Sequence, residues 1–106
     1  MPPSPLRILQ TPQYASWFDS LRDGQAKARV LVRIRRLSLG NLGDAKSLGG
    51  GIGELRIDYG PGYRVYFARR GGALVLLLTG GDKSRQKADI LRARAIAAEW
   101  KADDEP

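Results

Sequence analysis

The side chains able to do chemistry in this 106-residue chain are cations and tyrosines. It carries 13 arginines, 5 lysines and 4 tyrosines, with no histidine and no cysteine. The lack of cysteine excludes a thiol nucleophile, a disulfide framework and thiolate zinc sites. The lack of histidine removes the usual metal ligand and the side chain that titrates nearest neutrality. Any reaction must run on Lys, Arg, Tyr, Asp, Glu, Ser or Thr. The densest grouping is Arg56, Arg64 and Tyr66, in two segments of alternating polar and apolar residues. A guanidinium matches phosphate oxygens and a phenol ring can stack a base, so this trio suits a phosphate-and-base platform. The same alternation also fits an ordinary solvated sheet face.

The elements that must position these groups follow from periodicity. Leu6–Gln10 reads as a short strand. Thr11 and Pro12 form a helix start, a hydroxyl cap followed by proline at the first helical position. Gln13–Arg22 then has Tyr14, Trp17, Phe18 and Leu21 at helical spacing. A second helix starts near Asp23-Gly24 and runs to Gly40, with Val30, Ile34 and Leu37 on one line and Arg29, Arg33 and Arg36 on a neighbouring stripe. Residues 40–53 hold six glycines and read as a loop containing Lys46; no phosphate-binding glycine fingerprint is present. Three strands follow, over residues 54–59, 63–68 and 73–79, the last a continuous apolar run expected of a central strand. A final helix begins at Asp82 or Ser84 and extends to about Ala102. The expected fold is α+β: a small antiparallel, partly mixed sheet with two N-terminal helices and one C-terminal helix, in the order β-α-α-β-β-β-α.

Composition bounds the rest. The length fits one domain spanning 1–106, with residues 1–5 and 103–106 expected to be flexible termini. No apolar run approaches the roughly 20 residues needed to cross a bilayer, and no apolar leader follows the N-terminus, so a cytoplasmic protein without membrane partners is expected. The net charge is +7. Three of the eleven acids lie in the last four residues, so the body is more basic still. Such a domain suits nucleic acid or an acidic protein partner.

A three-residue turn, Gly60-Pro61-Gly62, would set Tyr59 opposite Tyr63, Ile57 opposite Val65 and Leu55 opposite Phe67. The other face would then pair Asp58 with Arg64 and Arg56 with Tyr66. A one-residue slip would mix the faces.

The string GYRVYFARRGGALVLLLTGGDKSRQKADILRARAIAAEW is more specific than any of these patterns. With TPQYASWFDSLRD and RVLVRIRRLSLGNLGDAKSLGGGIGELRIDYGPGYRVYF it resembles the HigB-like branch of the RelE/ParE toxin superfamily, the addiction module killer proteins, over roughly residues 6–100. The resemblance implies the toxin of a type II toxin–antitoxin pair. Its partners would be a cognate antitoxin, expected to be a helix-turn-helix protein encoded alongside, and the ribosome with its mRNA. RelE- and HigB-like members cleave mRNA in the ribosomal A site; the ParE branch instead inhibits DNA gyrase. A homologue that only binds its antitoxin is a third reading.

Transferred onto this chain, the resemblance implies a catalytic set of Arg56, Arg64, Lys83 and Tyr66. Lys46, Gln86, Lys87 and the stripe Arg29, Arg33 and Arg36 are candidate RNA contacts; the stripe equally suits acidic antitoxin residues or plain solvent. Some HigB members use histidines, which this chain lacks. The expected reaction is metal-independent and cofactor-free, with the RNA 2′-hydroxyl attacking the adjacent phosphate. Arg56 and Arg64 would stabilise the phosphorane. Lys83 would serve as general acid or base, and Tyr66 would stack a base or donate a proton. Asp82 is either a base or a helix cap.

Overall fold

A computed structural model describes residues 6–100. The two termini expected to be flexible, 1–5 and 103–106, lie outside the described residues. The elements are β1 (Arg7–Gln10), α1 (Pro12–Ser20), α2 (Gly24–Ser38), β2 (Ala45–Gly49), β3 (Ile52–Ile57), β4 (Tyr63–Arg70), β5 (Leu74–Asp82), a 3₁₀ turn (Lys83–Arg85) and α3 (Gln86–Glu99). The strands form one sheet in the order β1-β5-β4-β3-β2. β1 is parallel to β5 and the other pairs are antiparallel. The α+β class holds. The apolar run of β5 is central, between β1 and β4, and residues 75–80 are buried. No helix among the described residues is long and apolar enough to cross a membrane.

The caps act as their residue types dictate. The Thr11 hydroxyl accepts from the Tyr14 N–H at 3.0 Å, and the Asp23 carboxylate accepts from the Gln25 and Ala26 N–H groups. Helix α1 stops at Ser20, two residues short of the expected Arg22. Its last turn closes when the Leu21 N–H donates to the Phe18 carbonyl, and extended backbone at Leu21 carries the chain to the Asp23 cap.

Two expectations need correction. Residues 40–53 are not a plain loop: Ala45–Gly49 form β2, the edge strand, joined to β3 by Gly49, Gly50 and Gly51, all at positive φ. Glycine is suited to that tight return, so within the stretch read as a loop Gly49–Gly51 form a hairpin turn. The β3–β4 register also differs. Ile57 faces Tyr63, Leu55 faces Val65, Arg56 faces Arg64 and Glu54 faces Tyr66. The connection is a five-residue loop containing a turn in which the Gly62 N–H donates to the Tyr59 carbonyl at 3.1 Å. A shift of two residues keeps each side chain on its face but changes every partner. Asp58 therefore does not pair with Arg64.

Each sheet face carries a core. Leu55, Ile57, Val65, Phe67, Val75 and Leu77 pack beneath Tyr14 of α1 and Val30 and Leu37 of α2. Tyr66, Ala68, Leu76 and Leu78 pack beneath Ala93, Ile96 and Ala97 of α3. The phase of β5 changes at a bulge: Leu77 pairs with Phe67 and Thr79 with Tyr66, leaving Leu78 without a partner residue in β4. The Leu78 carbonyl accepts instead from the Thr11 hydroxyl at 2.7 Å, tying the start of α1 to the bulge. Beyond it, Gly80 lies against Trp17 of α1 and Gly81 against Asp89 of α3. A Cβ at either glycine would overlap those side chains.

Gly80→Ala should therefore destabilise the fold by about 1–3 kcal/mol, the range for overpacking a filled site, read as a lower urea midpoint. A variant as stable as wild type would contradict the packing described. Asp89 is buried, and its carboxyl is pushed above the ordinary range chiefly by desolvation. The folded state then holds the proton more tightly than the unfolded chain, so stability is full below about pH 4 and falls as pH rises through the folded pKa. Asp89→Asn lacks this titration. The stability difference between the two should move in the variant's favour from pH 4 toward neutrality; a flat difference would contradict it.

Candidate functional site

On the α3 side of the sheet, register fixes two lateral rows. One runs Lys46, Glu54, Tyr66, Thr79 across β2, β3, β4 and β5; the next runs Arg56, Arg64, Gly81. Partners in adjacent antiparallel strands share a face. Two guanidinium groups thus face one another across β3 and β4, an arrangement that repels unless an anion lies between them. Glu54 is that anion. It is 0% exposed, and its Oε1 accepts from Arg56 Nε at 3.1 Å. Arg64 Nε lies 4.0 Å from the same oxygen, near enough for charge attraction and too far for a hydrogen bond. Oε2 accepts from Gln86 Nε2 at 2.8 Å, which ties the first turn of α3 to the strand.

The expected cations gather around this carboxylate. The Arg56 side chain is 35% exposed and Arg64 12%, so Arg56 presents the more open guanidinium. Arg64 Nη1 donates to the Tyr63 carbonyl at 3.3 Å. That nitrogen and the Lys83 stem both border Gly62, which places Lys83 beside Arg64. Lys83, Gln86 and Lys87 line one hollow at the start of α3, with Lys83 and Lys87 exposed. Lys46, also exposed, stands next to Glu54 on the edge strand. Five elements, β2, β3, β4, the 3₁₀ turn and α3, therefore supply Arg56, Arg64, Lys83, Gln86, Lys46 and Lys87 to this side of the sheet.

Tyr66 does not share that exposure. Its ring is 0% exposed and its hydroxyl is buried beside Glu54. Burial, followed by the nearby Glu54 and Asp89 carboxylates, pushes the phenol far above its ordinary range. A ring there cannot stack a base arriving from solution, and its proton is held tightly. The reason is α3, which roofs this part of the sheet and turns an expected solvated face into core.

The stripe on α2 lies on the opposite face. Arg33 donates to the backbone carbonyls of Arg56, Leu42 and Asp44, the last at 2.8 Å. It fastens the approach to β2 onto the end of β3, and desolvation lowers its pKa. Arg29 lies over the Tyr59 ring at 4.6 Å, and the Tyr59 hydroxyl donates to Asp23 at 2.7 Å. That bond is the main cause holding Asp23 below the usual carboxylate range. Arg29, Arg33 and Arg36 line a groove of about 580 Å³ with Val32 and Ile57. Asp82 caps the 3₁₀ turn by accepting from the Ser84 N–H at 2.9 Å, the cap of its two readings.

Glu54 is the residue that sequence reasoning missed. Its signal was its place two residues before Arg56, hence on the same strand face, but the three-residue turn moved Arg56 opposite Tyr66 and left Glu54 with no charged neighbour in β4.

Residues 16–100 match the family described as Phage derived protein Gp49-like (DUF891). The chain is also 50% identical over 94 residues to an uncharacterized protein of Haemophilus influenzae (strain ATCC 51907 / DSM 11121 / KW20 / Rd), covering 89% of this chain and 95% of the relative. A fold of this class, a match over most of the chain and a relative of nearly equal span agree: the protein belongs to the Gp49-like phage-derived family, within the RelE/HigB-like grouping of addiction-module toxins.

Proposed function

We propose that this toxin is a ribosome-dependent, metal-independent endoribonuclease that cuts mRNA, halts translation and is neutralised by a cognate antitoxin. The supporting observation is the pair Arg56 and Arg64 beside buried Glu54, with Lys83 next to Arg64. In the proposed step the 2′-hydroxyl oxygen bonds to the adjacent phosphorus and the bond from phosphorus to the 5′-oxygen breaks. This leaves a 2′,3′-cyclic phosphate and a 5′-hydroxyl. Arg56 and Arg64 bear the charge that builds on the phosphorane; donors already held in place need no reorganisation at that moment. Lys83 handles one of the two protons, taking it from the 2′-hydroxyl or giving one to the leaving 5′-oxygen, and water handles the other. Glu54 and Gln86 position the guanidinium groups. Lys46 and Lys87 guide the flanking backbone. Tyr66 supports the site from beneath instead of stacking a base.

The absence of histidine makes a weak nuclease in isolation. Ribosome dependence answers this, because the ribosome can hold the message in the geometry that in-line attack requires. The antitoxin is expected to be a helix-turn-helix protein encoded alongside, and the site of action the cytoplasm.

Purified protein added to a translation reaction should produce primer-extension stops within codons. Arg64→Ala should lower cutting by about 100-fold or more, the range for losing one preorganised donor, with the fold retained. Intact mRNA with inhibited supercoiling would favour a gyrase inhibitor, and neither effect would favour a homologue that only binds antitoxin. Glu54→Gln keeps shape and removes the charge holding the arginines, so cutting should fall by roughly 10- to 100-fold. Full cutting by both Arg64→Ala and Glu54→Gln would refute the proposed site.

A further inference from the structure

The helices on opposite faces of the sheet approach each other around the C-terminal end of β5, and a groove runs between α1 and α3. Its two adjoining hollows, about 430 and 390 Å³, share Trp17, Gly80 and Arg92. The groove exists because Gly80 and Gly81 leave no side chain between the helices. The Trp17 ring lies on Gly80, with Tyr63 at 6.5 Å and 64°. Arg22 and Arg92, both exposed, reach the groove from its two walls.

Two buried acceptors in its lining have no hydrogen-bond partner: Gln13 Oε1 in the first hollow and Asp89 Oδ2 in the second. Asp89 is 3% exposed. Native proteins seldom leave such atoms unpaired. Arg85 lines both this groove and the hollow of Lys83–Ala88, which holds Gln86, the partner of Glu54. Arg85 thus joins the groove to the hollow that holds Gln86.

We infer that this groove binds a nucleotide of single-stranded RNA flanking the link held at Arg56 and Arg64. Its phosphate lies between Arg22 and Arg92, its base against Trp17, and its amino groups toward Gln13 and Asp89. Guanidinium beside an indole is the chemistry that holds an unpaired nucleotide. An acidic peptide fits less well: it offers carboxylates where the lining holds those of Asp82 and Asp89 and the Gln13 amide oxygen. The position beside the scissile link rests on the ribonuclease reading; binding of RNA in the groove does not.

The test uses the full chain and a short fluorescein-labelled single-stranded RNA, 2′-O-methylated so that it cannot be cut. Anisotropy is read across a salt series. R22A/R92A should bind about tenfold more weakly, and its log–log salt slope should fall by about 0.7, the value for the one phosphate no longer neutralised. RNA should quench tryptophan emission in the wild type and quench it less in the variant. Both arginines are exposed, so the urea midpoint should be unchanged; if it is not, R92A alone carries the comparison with about half the change in slope. An affinity within about twofold of wild type at an unchanged slope would overturn the inference. So would loss of polyglutamate binding in the variant with RNA binding intact. The two readings fail separately: uncut message with RNA binding still sensitive to R22A/R92A sinks only the nuclease, whereas codon cutting with unaltered RNA affinity sinks only the groove.

Discussion

A carboxylate removed from water holds two like charges side by side. Moving an ionised group such as Glu54 into the interior costs several kcal/mol unless its partners are well placed. Those partners come from three elements: Arg56 from the same strand, Arg64 from the next, and Gln86 from the first turn of α3. Strand register, hairpin length and helix docking must all be correct before the cost is offset. The constraint also works outward. Arg56 is held by the anion beneath it, and Arg64 lies within charge attraction of the same oxygen.

The supporting architecture is asymmetric. The face under α1 and α2 is apolar core, and two arginines of α2 bind within the chain: Arg33 donates to three backbone carbonyls and Arg29 covers Tyr59. The face under α3 is half core and half charged, because α3 covers Tyr66 and Ala68 while its first turn stops over Glu54 and Gly81. The bulge at Leu78 links the two sides. It reverses the phase of β5 so that successive glycines admit Trp17 from one helix and Asp89 from the other, and Thr11 binds the carbonyl left over.

Much of this was legible in the sequence, for identifiable reasons. Thr11, Asp23 and Asp82 are short polar residues ahead of helical segments, and each caps as its chemistry requires. The inward and outward faces of β3 and β4 followed from alternation, which a two-residue shift leaves intact. Pairing partners did not follow, because turn length decides them, and Gly60-Pro61-Gly62 is compatible with turns of more than one length. Strand β2 was hidden because its glycines look like a linker until they are seen as a hairpin return. Tyr66 was misplaced because the reach of α3 over the sheet is a tertiary fact: nothing in YRVYF records which of its polar-face residues a later helix will cover. Glu54 was overlooked for the same reason, its role resting on Gln86, 32 residues away.

The central claim is that phosphate is received on the Glu54 face and not on the α2 face. The most direct measurement is NMR of arginine side-chain Nε–H signals during titration with an uncleavable 2′-O-methylated trinucleotide. The account predicts that the Arg56 and Arg64 signals move together while those of Arg29 and Arg33 stay in place. Movement of Arg29 and Arg33 with Arg56 and Arg64 unchanged would contradict it.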